Sequence, residues 1–247
     1  MRRARRFSAR DRDHWQFDFS SGSQSCYRFA IPVVFGHGGD PVQQNLVASL
    51  NRPGGNVTGV TSQSGAIFGK QLGILHELLP QAVDFGVVSN PQNPLHDLVV
   101  KETQAAASII GVTVEVLTAS TSGEIDAVFA RTSNEGRVQG LLVSNDVLFM
   151  AGRVQVAILA ARSAIPAIYP FREQAEAGGL LSYGPDLSDR DREVGHYVGR
   201  VLKGEKPADL PVQQQSKFEF VINLQTARAI GLTIPSSMRA LADRVIE

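Results

Sequence analysis

Phe85-Gly86-Val87-Val88-Ser89-Asn90-Pro91-Gln92-Asn93-Pro94 is the stretch on which the fold is read. Five residues form a short apolar run, an Asn-Pro loop breaks it, and a helical pattern continues to Ile110 before a stop at Gly111. The same unit recurs at once. Val112 to Leu117 is a strand followed by a helix from about Gly123 to Thr132, and Leu141 to Ser144 and Ile165 to Tyr169 are two more strands around a helix from Gly152 to Ser163. Short apolar runs alternating with helices belong to a parallel sheet covered on both faces. Such a series makes a doubly wound domain.

Upstream, Ile31 to Phe35 reads as a buried strand, and Gly36-His37-Gly38-Gly39-Asp40-Pro41 leads into a helix with Val42, Leu46, Val47 and Leu50 on one face. Val57 to Thr61 is a further strand, and Phe68 to Leu79 a helix ended by Pro80. Downstream come a strand at Leu180 to Tyr183, a helix at Asp189 to Leu202, a strand at Phe218 to Asn223, and two short helices, Leu224 to Ile230 and Ser236 to Ile246. Taken together these give an α/β protein of two lobes, each a doubly wound, mainly parallel sheet. The first lobe is expected from residues 31–67 plus 184–247 and the second from 68–183. The chain would cross near Thr61 to Phe68 and near Tyr183 to Asp186. The first lobe then has only about four strand candidates and is expected to be incomplete, with unpaired backbone at its edge.

Composition excludes more than it selects. The 247 residues carry 24 Lys plus Arg against 24 Asp plus Glu, so no global field attracts nucleic acid or an anionic membrane. No apolar run is long enough to insert stably in a membrane. The single cysteine, Cys26, forms no internal disulfide and no thiolate cluster. The histidines are scattered without metal-ligand spacing, so neither metal nor cofactor is expected. Residues 1–30 begin with six arginines by Arg12, but acids and a Ser/Gly/Gln stretch stand where the apolar core of an export signal belongs. They are read as a disordered or non-native tail, from a wrong start or a shifted frame.

In open α/β sheets ligands sit outside the carboxyl ends of the strands. The loops there supply the candidate site. Asp40 offers a carboxylate to an ammonium or hydroxyl, or caps the next helix. Asn90 and Asn93 place two amides at a helix N-terminus, suited to a ligand carboxylate. Asn145 and Asp146 add an amide and a carboxylate at the same sheet edge. Tyr169 and Tyr183 supply aromatic surface, and Thr61 a hydroxyl at the crossover. The expected ligand is a small molecule bearing both an amine and a carboxylate.

The segment Gly178-Gly179-Leu180-Leu181-Ser182-Tyr183-Gly184-Pro185-Asp186, with Lys203-Gly204-Glu205-Lys206-Pro207, Phe218 to Asn223 and Arg52-Pro53-Gly54-Gly55-Asn56-Val57-Thr58-Gly59, resembles the solute-binding proteins of ABC importers, in the branch with aromatic amino-acid binders. The resemblance runs from Ile31 to the end of the chain. It implies a two-lobed periplasmic binding protein, N-terminally truncated, that captures a solute such as an amino acid by lobe closure and presents it to permease subunits. It implies a periplasmic location, whereas the chain as written, without an export signal, would stay in the cytoplasm. A ligand-sensing regulatory module of the same fold is the alternative. A small-molecule enzyme is disfavoured, because no nucleophile elbow, P-loop or dinucleotide fingerprint occurs.

Overall fold

The computed structural model describes residues 31–62 and 65–247. The reading of residues 1–30 as a non-native tail, and Cys26 with it, lies outside the described residues. In chain order the elements are β1 (Val33–His37), β2 (Val57–Thr61), α1 (Gly65–Leu78), β3 (Asp84–Ser89), α2 (His96–Ile110), β4 (Thr113–Thr118), α3 (Ser122–Glu135), β5 (Gly140–Val143), α4 (Val147–Ala151), α5 (Arg153–Arg162), β6 (Ala167–Tyr169), α6 (Arg172–Glu176), β7 (Leu181–Pro185), α7 (Leu187–Leu202), β8 (Gln213–Gln214), β9 (Phe218–Asn223), α8 (Leu224–Ala229), α9 (Ser236–Leu241) and β10 (Arg244–Ile246). Among the described residues no helix is long and apolar enough to cross a membrane.

The strands form two sheets, a small one in the order β1-β2-β8 and a large one in the order β10-β9-β7-β6-β5-β3-β4. All pairings are parallel except β7 with β9, which is antiparallel. The large sheet is buried on both faces, as its near-continuous apolar runs require. Side chains alternate between the two cores. Phe85, Val87, Leu142, Ile168 and Leu181 meet Leu72 and Leu75 of α1, while Val88, Leu141, Val143, Ala167 and Tyr169 meet Ile125 and Phe129 of α3, Phe149 of α4 and Val156 of α5. Leu72 and Leu75 are fully buried, each worth about 1.5–3 kcal/mol of transfer free energy. On the small sheet, α7 packs over β1 and β2. There Tyr197 donates its hydroxyl to the Pro211 carbonyl at 2.6 Å.

Three sequence expectations change. The strands at Leu180 to Tyr183 and Phe218 to Asn223 do not join the first lobe: β7 and β9 pair with each other, and β7 with β6, in the large sheet. Their apolar faces find partners there, with Phe220 buried, Ile222 fully buried and Tyr183 stacked on Phe218 at 6.1 Å between ring centroids. The chain therefore crosses between the sheets three times: after Thr61, at Asp186, and through Gln215 to Lys217.

The helix expected after Asp40 is replaced by a compact turn. Asn45 adopts a left-handed conformation (φ 56°), and Leu46 N and Val47 N both return to the Pro41 carbonyl, which ends any helical run within a turn. The segment Ser236 to Ile246, expected to be helical, splits into α9 and the strand β10, because Arg244, Val245 and Ile246 add a parallel edge beside β9.

The middle crossing is held electrostatically. Asp186, 6% exposed, caps α7 by accepting from Ser188 N and Asp189 N, and pairs with Lys217 at 3.0 Å. Burial pushes its carboxyl up, but the Lys217 hydrogen bond, the Asp189 N–H and the Lys217 and Arg172 charges outweigh this and hold it below its ordinary value.

A depressed folded pKa stabilises the fold above the unfolded pKa and is lost as pH falls through the folded one. Asp186→Asn, which keeps a cap acceptor without the charge, is therefore expected to be less stable than wild type at pH 7. The gap should close as pH drops below about 3.8, the ordinary value; denaturant titrations at several pH values would reveal it. A second expectation concerns Gly184, where a Cβ would overlap the Pro170 carbonyl. Gly184→Ala should lower the stability of the large sheet by about 1–3 kcal/mol in urea melts.

Candidate functional site

In the large sheet β3 is followed by β4 on one side, while β5 joins its other side. The strand order reverses between β3 and β5. Outside the carboxyl ends of two such strands lies the crevice where doubly wound sheets bind ligands. The loops flanking this crevice are Asn90 to Leu95 and Ser144 to Asp146.

Asp146 ties the two loops together. It is the N-cap of α4, its Oδ1 accepting from Leu148 N at 2.7 Å. Its Oδ2 accepts from the Asn93 side-chain amide at 2.6 Å, and the Asn90 amide donates across both oxygens at 3.3 and 3.4 Å. Asn93 also donates to the Asn145 carbonyl at 3.2 Å. The carbonyl ends of the two asparagines face inward to their own loop, Asn90 accepting from Gln92 N and Asn93 from Leu95 N. Asn90, Asn93, Asn145 and Asp146, read from the sequence as two loops at one sheet edge that would suit one ligand together, form one network. Among the described residues the side-chain partners of Asp146 are neutral amides, so its negative charge has no cation beside it. Beside this network His96 places Nδ1 2.9 Å from the Ser89 hydroxyl, and α2 begins at Leu95 without a side-chain cap.

The small sheet presents the loop after β1. Asp40 is engaged as a turn cap, its Oδ1 accepting from Val42 N at 2.8 Å and Gln43 N at 3.2 Å. Thr61 is fully buried and donates to the Gly39 carbonyl at 2.6 Å, while Ser62 holds the His37 carbonyl from its backbone N–H at 2.9 Å. The Thr61 hydroxyl therefore shapes the Gly39 loop. A Cβ placed on Gly39 would come within 2.7 Å of both His37 Nε2 and Gln44 Nε2 and within 3.3 Å of Leu95 Cδ2. Leu95 belongs to the loop after β3, so the two halves of the protein meet here. His37, which the sequence reading passed over as a ligand contact, lies at this meeting point. Burial lowers its pKa against the opposing help of Gln44, which favours the neutral ring.

The two tyrosines part company. Tyr169 is fully buried with its ring beside Gly179, where a Cβ would lie 2.6 Å from Cε2. Its hydroxyl has no hydrogen-bond partner among the described residues, and its pKa is pushed up by desolvation. It is a core side chain and does not line the crevice, because strand parity puts Ala167 and Tyr169 on the α3–α5 face. Tyr183 is half-buried at the sheet's other half, stacked on Phe218. Gln71, also unforeseen, is fully buried and donates to the Tyr183 carbonyl at 2.8 Å. A hollow of about 470 Å³ bounded by Pro32, Asn56, Val201 and Pro207 lies at the amino ends of β1 and β2. That is the wrong end of a parallel sheet for ligand capture.

The model of the family described as ABC transporter substrate binding protein matches residues 22–246. The chain belongs to this family. The match begins nine residues before Ile31, inside the stretch the sequence reading had set apart. A tyrosine-binding protein of Clostridioides difficile is 29% identical over 202 residues, 82% of this chain and 57% of its own length. The chain thus spans 57% of the length of that curated relative.

Among solved structures, the ABC domain from Streptococcus pneumoniae in complex with L-Trp superposes with a TM-score of 0.78 at 32% identity, covering 87% of this substrate-binding-family chain and 72% of its own. A conserved domain protein from Vibrio cholerae gives 0.79 at 26% identity, with 87% and 71% covered. The ligand-free, open structure of a Clostridium difficile substrate-binding protein with adhesive properties gives 0.66 at 25% identity, with 88% and 72% covered.

Asp146→Ala removes the cap of α4 and the tie between the loops. It is expected to cost about 1–2 kcal/mol in chemical denaturation and to raise amide exchange from Asn90 to Leu95.

Proposed function

We propose that this chain captures an amino acid in the crevice between its two sheets and serves as the solute-binding component of an ABC importer. The observation that carries the reading is the Asp146 network: a carboxylate with no cationic partner among the described residues, held by two amides at the switch between β3 and β5. Such a group suits a ligand ammonium, and the N-terminus of α2, lacking a side-chain cap, suits a ligand carboxylate. The Gly39 loop, carrying Asp40 and braced by Thr61, closes on the other side. Tyr183 with Phe218 offers aromatic surface toward the crossings.

The relatives support the solute class, one being a tyrosine-binding protein and another a complex with L-Trp. In this reading the protein is not an enzyme: contacts to both sheets stabilise the closed arrangement, and affinity rests on that difference. Its partners are permease subunits and its place of work is outside the cytoplasmic membrane. The LacI-type regulator from Corynebacterium glutamicum, 15% identical with a TM-score of 0.53, shares the fold alone.

Thermal-shift and calorimetric titrations with L-tyrosine, L-tryptophan, glycine and galactose test the proposal. Binding of an aromatic amino acid is expected, weakened about tenfold by Asp146→Asn, which keeps the shape but removes the charge, a loss near 1.4 kcal/mol. Binding of galactose without any amino acid would overturn it, as would an Asp146→Asn variant with undiminished affinity.

A further inference from the structure

The three segments that pass between the sheets meet at one side chain. Gln215, in the third crossing, donates its backbone N–H to the Thr61 carbonyl at 2.8 Å, in the first crossing. Its Nε2 donates to the Asp186 carbonyl at 2.6 Å, in the second. The residue is 9% exposed, and its Oε1 has no partner among the described residues, where the amide is held by its donor end. Two residues on, Lys217 pairs with the Asp186 carboxylate at 3.0 Å, and Asp186 N donates to the Lys217 carbonyl at 3.3 Å. Those bonds join the second and third crossings only. The Lys217 side chain is 59% exposed and the Asp186 side chain 7%, so that pair is open to solvent on the lysine side. The buried Gln215 reaches all three.

We propose that Gln215 is the positioning residue of the hinge: its backbone N–H holds the first crossing and its side-chain amide the second, so that the three crossings bend together about one axis. Two peptide segments joined by one carbonyl bond can still twist relative to a third. With the Gln215 amide anchored on Asp186 and its backbone on Thr61, rotation of one sheet must carry all three crossings about a single axis. A hinge of a few residues at element ends is how two-lobed proteins close. The inference deepens the capture reading and rests on it for its purpose, but its test uses no ligand.

Spin labels at Arg52→Cys on the small-sheet side and Ala105→Cys on α2, in a Cys26→Ser background of the full chain, report the distance between the halves by pulsed electron resonance. Gln215→Met keeps the stem and its packing while removing the donor; Gln215→Ala removes both. In ligand-free protein both variants are expected to broaden the distance distribution between the labels, because the second crossing is no longer tied to the first through Gln215, while circular dichroism stays that of wild type.

An unchanged distance distribution in either folded variant overturns the proposal. So does a wild-type distribution in Gln215→Met alone, which would make the role one of packing. If neither variant folds, the wild-type protein decides by side-chain amide exchange. Gln215 Nε2 protons exchanging as fast as those of the exposed Gln104 would overturn the proposal, and slow exchange would support it. Failure of amino-acid binding leaves all of these readouts intact, so the two ideas fail separately.

Discussion

Passage of the chain between two sheets three times is the constraint on which the rest of the structure depends. Each crossing leaves one sheet near its carboxyl edge, after Thr61, after Pro185 and after Gln214, and enters the other. The carboxyl edges are thereby brought to face one another, and the loops that carry polar side chains converge: Gly39 and Asp40 from one side, Asn90 to Leu95 and Asn145 to Asp146 from the other. The crevice follows from connectivity. The polar groups it gathers are then shaped by short-range hydrogen bonds.

Two aspartates show how similar local roles diverge with surroundings. Asp146 and Asp186 both follow a strand and both cap a helix. Asp186 is flanked by Lys217 and Arg172, and its charge is compensated within the protein. Asp146 is flanked by Asn90 and Asn93, which orient the carboxylate without neutralising it. The first is a structural pin at the middle crossing. The second is held by neutral amides, in a loop whose asparagines turn their carbonyl oxygens to their own backbone.

Much of the large sheet was legible because its strands are buried on both faces, so Phe85 to Ser89 and Leu141 to Ser144 stand out as unbroken apolar runs. The candidate loops were legible from the same cause: once strands and order are known, the switch point names the loops. Tyr169 was not, because an aromatic at a strand end reads alike whether parity points it into the core or toward the crevice. The helix expected after Asp40 failed at Asn45, whose left-handed backbone no apolar periodicity reports. His37, Gln71 and Gln215 went unnoticed because a single polar side chain has no pattern; only its neighbours give it a role.

Local sequence determined the α/β class, the extent of most helices and strands, and the chemistry carried at the strand ends, because periodicity and turn residues act over a few positions. Tertiary structure decided which sheet β7 and β9 join, since a strand with two apolar faces can serve either and chooses by the partners available, and it made Arg244 to Ile246 an edge strand beside β9. It decided that Asn90, Asn93 and Asp146 work as one network rather than three candidates. It also brought Thr61, Asp186 and Gln215 to one point, far apart in the chain and joined only through space.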